Sequence, residues 1–373
     1  MNWLDSVVKR LSLAPRRQAA PAPSSVRVPT IAGSVREDAP AALVVFLVAL
    51  PLCLGIALAS GAPLFSGVIS GIVVGILSGS QLMVSGPAAG LTAIVVSAIA
   101  TLGSFPAFLM AVVLAGGVQL GLGALRAGVI GYYFPASVIR GMLAAIGLIL
   151  ILKQLPHAVG WDHDFEGDES FVQPDGDTTF TAIDHALHAI QPGAFLIAAV
   201  SLALLVVWDK TGLKRLKRLP GPLMAVLAGV GINVALQQSG SSWTLFAEHH
   251  LQLPIASSAG EFFSFFTLPD FSAALRADTW RVAVTLGVVA SLETLLSLEA
   301  TNRMDTHKRE SPPNRELFAQ GAGNALSGLI GGLPVTGVIV RSAANVDAGG
   351  QTKLAAILHG CCCSSPPSRS PRC

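Results

Sequence analysis

Long apolar stretches alternate with short polar ones along nearly the whole chain. About 20 apolar residues suffice to cross a bilayer as an α-helix, and nine stretches approach that length. A shorter tenth follows at 335–347, and an eleventh begins at 353–360. The pattern therefore predicts an all-α protein that crosses a membrane many times. The nine long stretches are 40–60, 63–80, 86–101, 105–125, 133–153, 193–208, 219–236, 282–301 and 316–332.

The composition indicates that most of the chain is in contact with lipid. Of its 373 residues, 52% are hydrophobic and only 12% are charged, whereas a soluble domain carries about 25% charged residues. Glycine and proline are frequent, at 38 and 23 residues. Both are common in membrane helices that pack closely or are interrupted in mid-bilayer. Lipid is therefore an expected partner, and a soluble fold is excluded.

The charges outside the spans predict the orientation of the chain. Cytoplasmic loops are enriched in lysine and arginine, and residues 1–38 hold six of them. We predict that 1–38 form a disordered, basic arm on the cytoplasmic side of a bacterial inner membrane. The loops after the fourth, sixth and eighth spans are also basic and lie inside by parity. Loop 154–192 holds no lysine or arginine and loop 237–280 holds only Arg276, so both are predicted to lie outside.

Two stretches of the chain resemble each other, 75–91 and 323–338. Each contains a glycine-rich helix that ends in Leu-Ser-Gly, a short irregular link, a proline (Pro87 or Pro334) and a helix start made of small residues. The stretches belong to the third and tenth spans. An odd offset of seven spans reverses the direction in the membrane, which is the sign of an inverted repeat.

The two interrupted spans predict a binding site. Irregular backbone at mid-membrane depth is tolerated only where it is buried in protein or lines a cavity. A helix that starts there presents unbonded N–H groups and a positive dipole end, so two half-helices that meet at mid-membrane favour an anion. The predicted substrate-binding residues of the two starts are Ser85, Gly86, Pro87, Ala88, Val335, Thr336 and Gly337.

Two charged residues fall inside predicted spans. Glu293 lies in the middle of 282–301, where an unpaired acid costs about 2.5–3.5 kcal/mol on insertion scales, and Ser297 follows one turn later on nearly the same face. Glu293 is therefore expected to be functional, by remaining neutral beside an incoming anion, by carrying a proton with it, or by binding a cation such as Na⁺. Arg341 lies about two turns into the tenth span. It is predicted to bind substrate by adding positive charge beside the Pro334 helix start. Snorkelling toward the membrane surface or a pair with Glu293 is its alternative role.

The sequence offers little for other chemistry. Its histidines have no cysteine or carboxylate at ligand spacing, and its glycine-rich stretches lack the Gly-Lys-Ser/Thr ending of a phosphate loop. No metal, other cofactor or nucleic-acid partner is therefore expected. An intramembrane acid/base enzyme that uses Glu293 is a weaker alternative, because no nucleophile with an orienting base lies at membrane depth.

Four segments together resemble the SulP family of inorganic anion transporters, relatives of the animal sulfate and chloride/bicarbonate exchangers. They are Ala49-Leu-Pro-Leu-Cys-Leu-Gly-Ile-Ala-Leu-Ala-Ser-Gly61, Gln81-Leu-Met-Val-Ser-Gly-Pro87, Phe134-Pro-Ala-Ser-Val-Ile-Arg-Gly141, and Asn314-Arg-Glu-Leu317 with Gly331-Gly-Leu-Pro-Val-Thr-Gly337 and Arg341-Ser342. The resemblance covers about 36–360. It implies fourteen segments in two inverted repeats of seven, of which this chain holds about ten to eleven.

The resemblance also implies two domains and a mode of transport. A core domain (39–125 and 282–360) would hold a bicarbonate or sulfate ion and move like an elevator against a gate domain (133–236). A homodimer and a cytoplasmic STAS domain are usual in the family, and the wording of the first span resembles the branch linked to carbonic anhydrase. That branch favours bicarbonate.

Three residues carry roles that the resemblance implies. Glu293 and Ser297 match the acid and hydroxyl that bind Na⁺ in cyanobacterial bicarbonate carriers. Here they are Glu and Ser rather than Asp and Thr, so H⁺ remains open beside Na⁺ as the coupling ion. Arg341 matches the anion-site arginine of the animal relatives.

The segment 361–373 departs from the family pattern, since Cys-Cys-Cys-Ser-Ser-Pro-Pro follows Gly360 where an apolar helix is expected. A repeated CTG codon reads as leucine in one frame and as cysteine (TGC) in the next. We therefore interpret 361–373 as an aberrant tail produced by a frameshift, with the remaining spans and the STAS domain absent. A genuine short protein with a cysteine-rich tail is the alternative, and an inactive fragment of a carrier is the alternative function.

Overall fold

The computed structural model describes residues 34–67, 71–163, 171, 177–211, 220–245 and 259–364. Nearly all of its regular structure is helical, as predicted. Six helices are long and apolar enough to cross a membrane, and a shorter apolar helix covers Ala89–Leu102. These six helices correspond to the predicted spans 40–60, 105–125, 133–153, 193–208, 219–236 and 282–301. The span 316–332 is also a helix, Pro313–Ile330, but it is not among the six. Of the span 63–80 the structure describes a 3₁₀ turn, Leu64–Gly67, and a helix of 7 residues, Gly71–Leu77, and the third and tenth spans begin as short strands.

The first part of the chain forms a compact group of elements. It comprises α1 (Val35–Ala59), α2 (Gly71–Leu77), β1 (Val84–Pro87), α3 (Thr92–Leu102) and α4 (Phe105–Ala124). Helix α4 starts where the Ser104 hydroxyl accepts a hydrogen bond from the Ala107 N–H at 3.3 Å, which caps the helix.

The described residues of the middle of the chain form five α-helices. They are α5 (Ala136–Ala158), α6 (Thr179–His188), α7 (Pro192–Lys210), α8 (Gly221–Gln238) and the short α9 (Ala259–Ser264). Helix α6 lies within the predicted outside loop 154–192, and it begins with a capping box between Thr178 and Thr181.

The last part mirrors the first. It comprises α10 (Ala277–Met304), α11 (Pro313–Ile330), β2 (Val335–Val338), α12 (Ile339–Asp347) and α13 (Leu354–Ser364). Just before α10, the Ser272 hydroxyl and N–H both donate to the Asp270 carboxylate, at 2.7 and 2.9 Å. These bonds lower the pKa of Asp270 because they stabilise its charged form.

Burial separates the long helices into two sets. About half of the apolar window is buried in α1, α4 and α10, at 56%, 56% and 50%, against 11%, 6% and 11% in α5, α7 and α8. The first and last parts of the chain therefore form a packed core, while the middle helices expose most of their surface. Ile139 of α5 bridges the two sets, since it packs against Ala300 and Ile339. The division into a core and a gate domain remains our prediction.

Two predicted boundaries differ from the structure. Helix α1 already begins at Val35, so the last residues of the predicted arm 1–38 are helical. Asp38 is buried and accepts hydrogen bonds from the N–H groups of Gln351 and Thr352, at 2.7 and 3.1 Å, which fixes α1 against the chain just before α13. Helix α13 continues four residues past Gly360 to Ser364. The rest of the predicted arm (1–33) and of the predicted tail (365–373) lies outside the described residues.

Glycines allow α4 and α11 to pack backbone against backbone. A Cβ at Gly116 would lie 2.6 Å from the Gly321 carbonyl oxygen and 2.5 Å from the Ala325 nitrogen, well inside ordinary contact distance. Close approach through small residues is a main source of helix association in membranes. This contact joins the two repeats of the core.

We expect Gly116→Ala to destabilise the protein by roughly 1–3 kcal/mol, the usual cost of overpacking a core. The next residue provides the control, because a Cβ at Gly117 would meet no atom within 4 Å. Thermal unfolding of both purified variants in detergent tests this. Equal unfolding midpoints for Gly116→Ala and Gly117→Ala would contradict the contact.

Candidate anion-binding site

The two interrupted spans meet as a short antiparallel ladder. Val84 pairs with Val338, Ser85 with Gly337, Gly86 with Thr336 and Pro87 with Val335. Because the strands are antiparallel and each leads into a helix, α3 and α12 begin at opposite ends of the ladder with their amino ends toward it. The two half-helices therefore meet as predicted, and their opposite directions agree with an inverted repeat.

We predicted that Pro87 and Pro334 occupy equivalent positions at the two helix starts, and the structure shows that they do not. Pro87 is the last residue of β1, whereas Pro334 precedes β2, so the two are not equivalent and neither occupies the first turn of a helix. The structural repeat instead matches Val-Ser-Gly-Pro (84–87) with Val-Thr-Gly-Val (335–338). The error arose because the link after Leu-Ser-Gly is two residues longer in the second repeat.

Neither helix start is capped by a side chain. Ala88 precedes the short 3₁₀ turn that leads into α3, and Val338 precedes α12. Both residues have extended backbones and apolar side chains, and neither start has a side-chain hydrogen bond to its cap. The first N–H groups of a helix lack intrahelical partners, so both starts can donate to an anion placed beside the ladder.

A buried amide holds strand β2 in place. Asn324 of α11 donates to the Val335 carbonyl at 2.9 Å and accepts from the Val335 N–H at 2.6 Å. Its amide nitrogen also donates to Gln119 of α4 at 2.6 Å. Pro87, which pairs with Val335, has no N–H that could donate a hydrogen bond. The Asn324 side chain therefore acts as a neighbouring strand on this edge of the ladder.

A second polar chain on α11 reaches strand β1. The Gln320 amide donates to the Ser85 hydroxyl at 2.8 Å and to Glu316 at 3.3 Å. Glu316 is fully buried and accepts from the Ser78 hydroxyl at 2.6 Å. Since the Ser85 oxygen accepts from Gln320, its own O–H is directed elsewhere and can donate to a ligand.

Arg341 lies against strand β1 in the centre of the core. It is 1% exposed, and its Nη2 donates to the Pro87 carbonyl at 3.2 Å. A Cβ at Gly86 would collide with the guanidinium, so glycine is what allows this approach. Nε of Arg341 has no hydrogen-bond partner among the described residues. The structure thus places the Arg341 guanidinium beside the ladder with an N–H group that is still able to donate a hydrogen bond.

Helix α10 lines the other side of the ladder. A Cβ at Gly90, just after β1, would lie 3.1 Å from Glu293 Oε1, and a Cβ at Gly337 would lie 3.3 Å from Ser297 Cβ. Between them, the Thr294 hydroxyl accepts from the Gly337 N–H at 3.3 Å. Glu293 and Ser297 therefore lie on one face of α10, next to the two helix starts.

A narrow pocket adjoins the start of α3. It is a crevice between packed atoms that leaves no room for a water molecule. It contains the predicted residue Ala88 together with the end of strand β1. Within the described part of the chain, its nine lining residues are Ile56, Ser60, Pro87, Ala88, Leu91, Thr92, Val95, Leu333 and Pro334.

All the predicted site residues surround this ladder. Val335 and Thr336 are fully buried in β2 and Gly337 packs against Met83, while the others have the positions given above. Residues that hold the ladder from α11 were missed. Glu316, Gln320 and Asn324 recur every four residues, which places them on one helix face, and this polar stripe in an apolar span was a signal in the sequence.

The comparison with protein families agrees with this geometry. The model of the sulfate permease family matches residues 35–365. The chain belongs to the sulfate permease family.

Several named relatives are similar to most of this chain. A putative sulfate transporter of Bacillus subtilis, YvdB, is 27% identical over 331 residues, which are 87% of this chain and 58% of that protein. The bicarbonate transporter BicA of Picosynechococcus is 26% identical over 341 residues, 87% of this chain and 56% of that protein. The chain thus spans little more than half the length of these relatives. Both relatives are named as transporters, in agreement with our prediction of a protein that is not an enzyme.

Solved structures share the fold. The transmembrane domain of a cyanobacterial bicarbonate transporter, BicA, superposes with a TM-score of 0.58 at 24% identity, over 89% of this chain and 81% of that one. The structure of SLC26A9 superposes with a TM-score of 0.57 at 18% identity, over 88% of this chain and 53% of that one. These matches confirm the predicted inverted-repeat membrane fold.

Proposed function

We propose that this protein is a secondary active carrier for a small inorganic anion, bicarbonate or sulfate, in the bacterial inner membrane. The observation that carries the proposal is the ladder of β1 and β2, where two uncapped helix starts and the buried Arg341 converge. Backbone N–H groups and helix dipoles favour a negative ion, and a guanidinium adds charge-assisted donors. The names of the relatives, sulfate and bicarbonate transporters, support the same class of substrate.

Within this proposal, the anion binds between the starts of α3 and α12. It contacts Ser85, Gly86, Pro87 and Ala88 on one side, and Val335, Thr336, Gly337 and Arg341 on the other. The core would then carry the ion across the membrane by an elevator-like movement against α5, α7 and α8. Those three helices are sparsely buried. Their exposed surface is therefore available to contact the moving core or a second copy of the chain in a homodimer.

Glu293 and Ser297 form the coupling-ion site in this proposal. They adjoin both helix starts, so that a proton or Na⁺ held there offsets the charge of an anion in the ladder. Each charge lowers the cost of burying the other. The amino terminus would lie in the cytoplasm, and an association with carbonic anhydrase would supply bicarbonate.

Arg341→Ala tests the anion site. We expect the purified chain to be stabilised against thermal unfolding by chloride, sulfate or bicarbonate, since a ligand of the folded state raises the midpoint. The variant should bind at least about tenfold more weakly, because a charge-assisted hydrogen bond is lost. Arg341→Lys, which keeps the charge without the planar fork, should retain part of the affinity.

Arg281→Ala is the matched control, because that arginine is exposed and pairs with Asp278 at 3.0 Å. Unfolding without anion shows whether a variant is folded. An Arg341→Ala protein that folds and binds anions as tightly as the parent would refute the site.

A further inference from the structure

Helix α6 is not a membrane span, yet it exposes large apolar side chains. Its ten residues, Thr179–His188, give a length of about 15 Å, which is about half of what the hydrocarbon core of a bilayer requires. Phe180 and Leu187 are 62% and 61% exposed. The ring of Phe180 packs edge to face against that of Phe171, which is also exposed. Apolar side chains that are exposed together indicate a surface that something else covers.

The side chains of α6 form three sets around the helix, as its 3.6 residues per turn dictate. The buried set packs toward α5 and consists of Thr179, Ala182 and Ala186. Next to it lies an apolar stripe, which consists of Phe180, Leu187 and the half-buried Ile183. The remaining side is exposed and polar, and consists of Thr181, Asp184, His185 and His188. A short helix of this kind satisfies both exposed sides when it lies parallel to a membrane surface, with the stripe toward lipid and the polar side toward water.

The connections of α6 keep it at the level where neighbouring spans leave the membrane. Only residues 189–191 separate α6 from α7, which begins at Pro192. An extended chain covers at most about 3.6 Å per residue, so the end of α6 lies within about 14 Å of the start of α7. The Gln191 N–H donates to the carbonyl of Val159, just after the end of α5, at 2.8 Å. The end of α5 and the start of α7 therefore lie side by side, with α6 next to both.

Two tryptophans mark the same level. Trp161 follows the end of α5 and Trp243 follows the end of α8, and tryptophan is enriched at the boundary between lipid and water. Gly193 of α7 approaches the Trp243 carbonyl so closely that there is no room for a Cβ. The imidazole of His185 in α6 stacks on the Trp161 ring, with 5.9 Å between the ring centroids. Helix α6 therefore lies beside residues that are typical of the membrane interface.

We propose that α6 is an interfacial anchor, which lies flat in the membrane surface with Phe180 and Leu187 inserted among the lipid chains. Lipid is the partner that fits the stripe, because exposed apolar residues continue along the chain through Ile190 to Phe195 in α7. The apolar window of α7 is only 6% buried, so that helix itself faces lipid. The anchor fixes the depth at which the end of α5 and the start of α7 lie in the bilayer.

Spin labelling in lipid vesicles tests the depth of α6. Leu187→Cys and Asp184→Cys each receive a nitroxide label, in the full chain with its five native cysteines replaced by alanine. Power saturation compares collisions with oxygen, which concentrates in lipid, and with a water-soluble nickel chelate. The ratio of oxygen to chelate collisions should be several-fold higher at position 187 than at position 184. Phe180→Cys should behave like Leu187→Cys, and His188→Cys like Asp184→Cys.

Two results would overturn the anchor. If the chelate reaches position 187 as readily as position 184, the stripe lies in water. If neither oxygen nor the chelate reaches position 187, another protein segment or a second copy of the chain covers it. A second measurement needs no cysteine replacement: p-benzoylphenylalanine at position 180 of the native sequence should crosslink to lipid, and crosslinks to protein alone would contradict the proposal.

Discussion

Asn324→Ala is expected to remove roughly 3 kcal/mol or more of stability and to abolish anion binding. The side chain makes three buried hydrogen bonds, two to Val335 and one to Gln119. Its loss leaves their partners buried and unpaired, at about 1–3 kcal/mol for each unsatisfied group. Because Val335 begins β2, the helix start after that strand loses its position as well.

Thermal unfolding and anion titration of the purified variant measure both effects. Asn314→Ala is the control on the same helix, since Asn314 accepts one hydrogen bond, from Gly128 at 2.9 Å. It should cost about a third as much and leave anion binding intact. If both variants lost the same stability and bound anions alike, Asn324 would not be positioning strand β2.

Glu293→Gln is expected to separate binding from coupling. The amide has nearly the shape of the carboxylate, but it neither takes up a proton nor offers a charge to Na⁺. Glu293 lies beside the start of α3, so the anion site should remain formed. We expect uptake into vesicles to lose its acceleration by a proton or Na⁺ gradient, a change of about tenfold or more, and anion affinity to lose its dependence on the coupling ion.

Glu299→Gln is the matched control, since Glu299 lies on the same helix and forms an ion pair with Arg303 at 2.7 Å. Its variant should respond to gradients like the parent. Which gradient drives the parent identifies the coupling ion. Gradient-driven uptake that persists in Glu293→Gln would remove Glu293 from the proposed coupling mechanism.

The sequence predicted the spans and the interrupted third and tenth segments because both depend on local signals. Apolar length fixes a membrane helix, and glycine and proline mark where it breaks. The backbone between the breaks was predicted only as irregular. Its pairing of Val84 with Val338 is a long-range contact that no local pattern encodes. The two prolines suggested that Pro87 and Pro334 are equivalent positions of the repeat, but Pro87 ends β1 and Pro334 precedes β2.

The site was predicted in part for the same reason. Arg341 and Glu293 were found because charge in an apolar helix is costly and therefore conspicuous, and Ser297 was found because it lies one turn after Glu293. Thr294 and Gln119 were missed, since a single neutral polar residue in a membrane helix is common and its partner is known only from the fold.

The ladder also sets an order of events when the protein is made. The N–H of Val84 bonds to Ser342, a residue 258 positions further along the chain. At synthesis rates of about 5–20 residues per second, the first strand emerges roughly 13–50 s before this partner exists. During that interval the polar backbone of β1 has neither its ladder nor the α11 amides to bond with, and lipid offers no substitute. The first repeat must therefore be sheltered in the insertion machinery, or remain at the membrane surface, until the second repeat is synthesised.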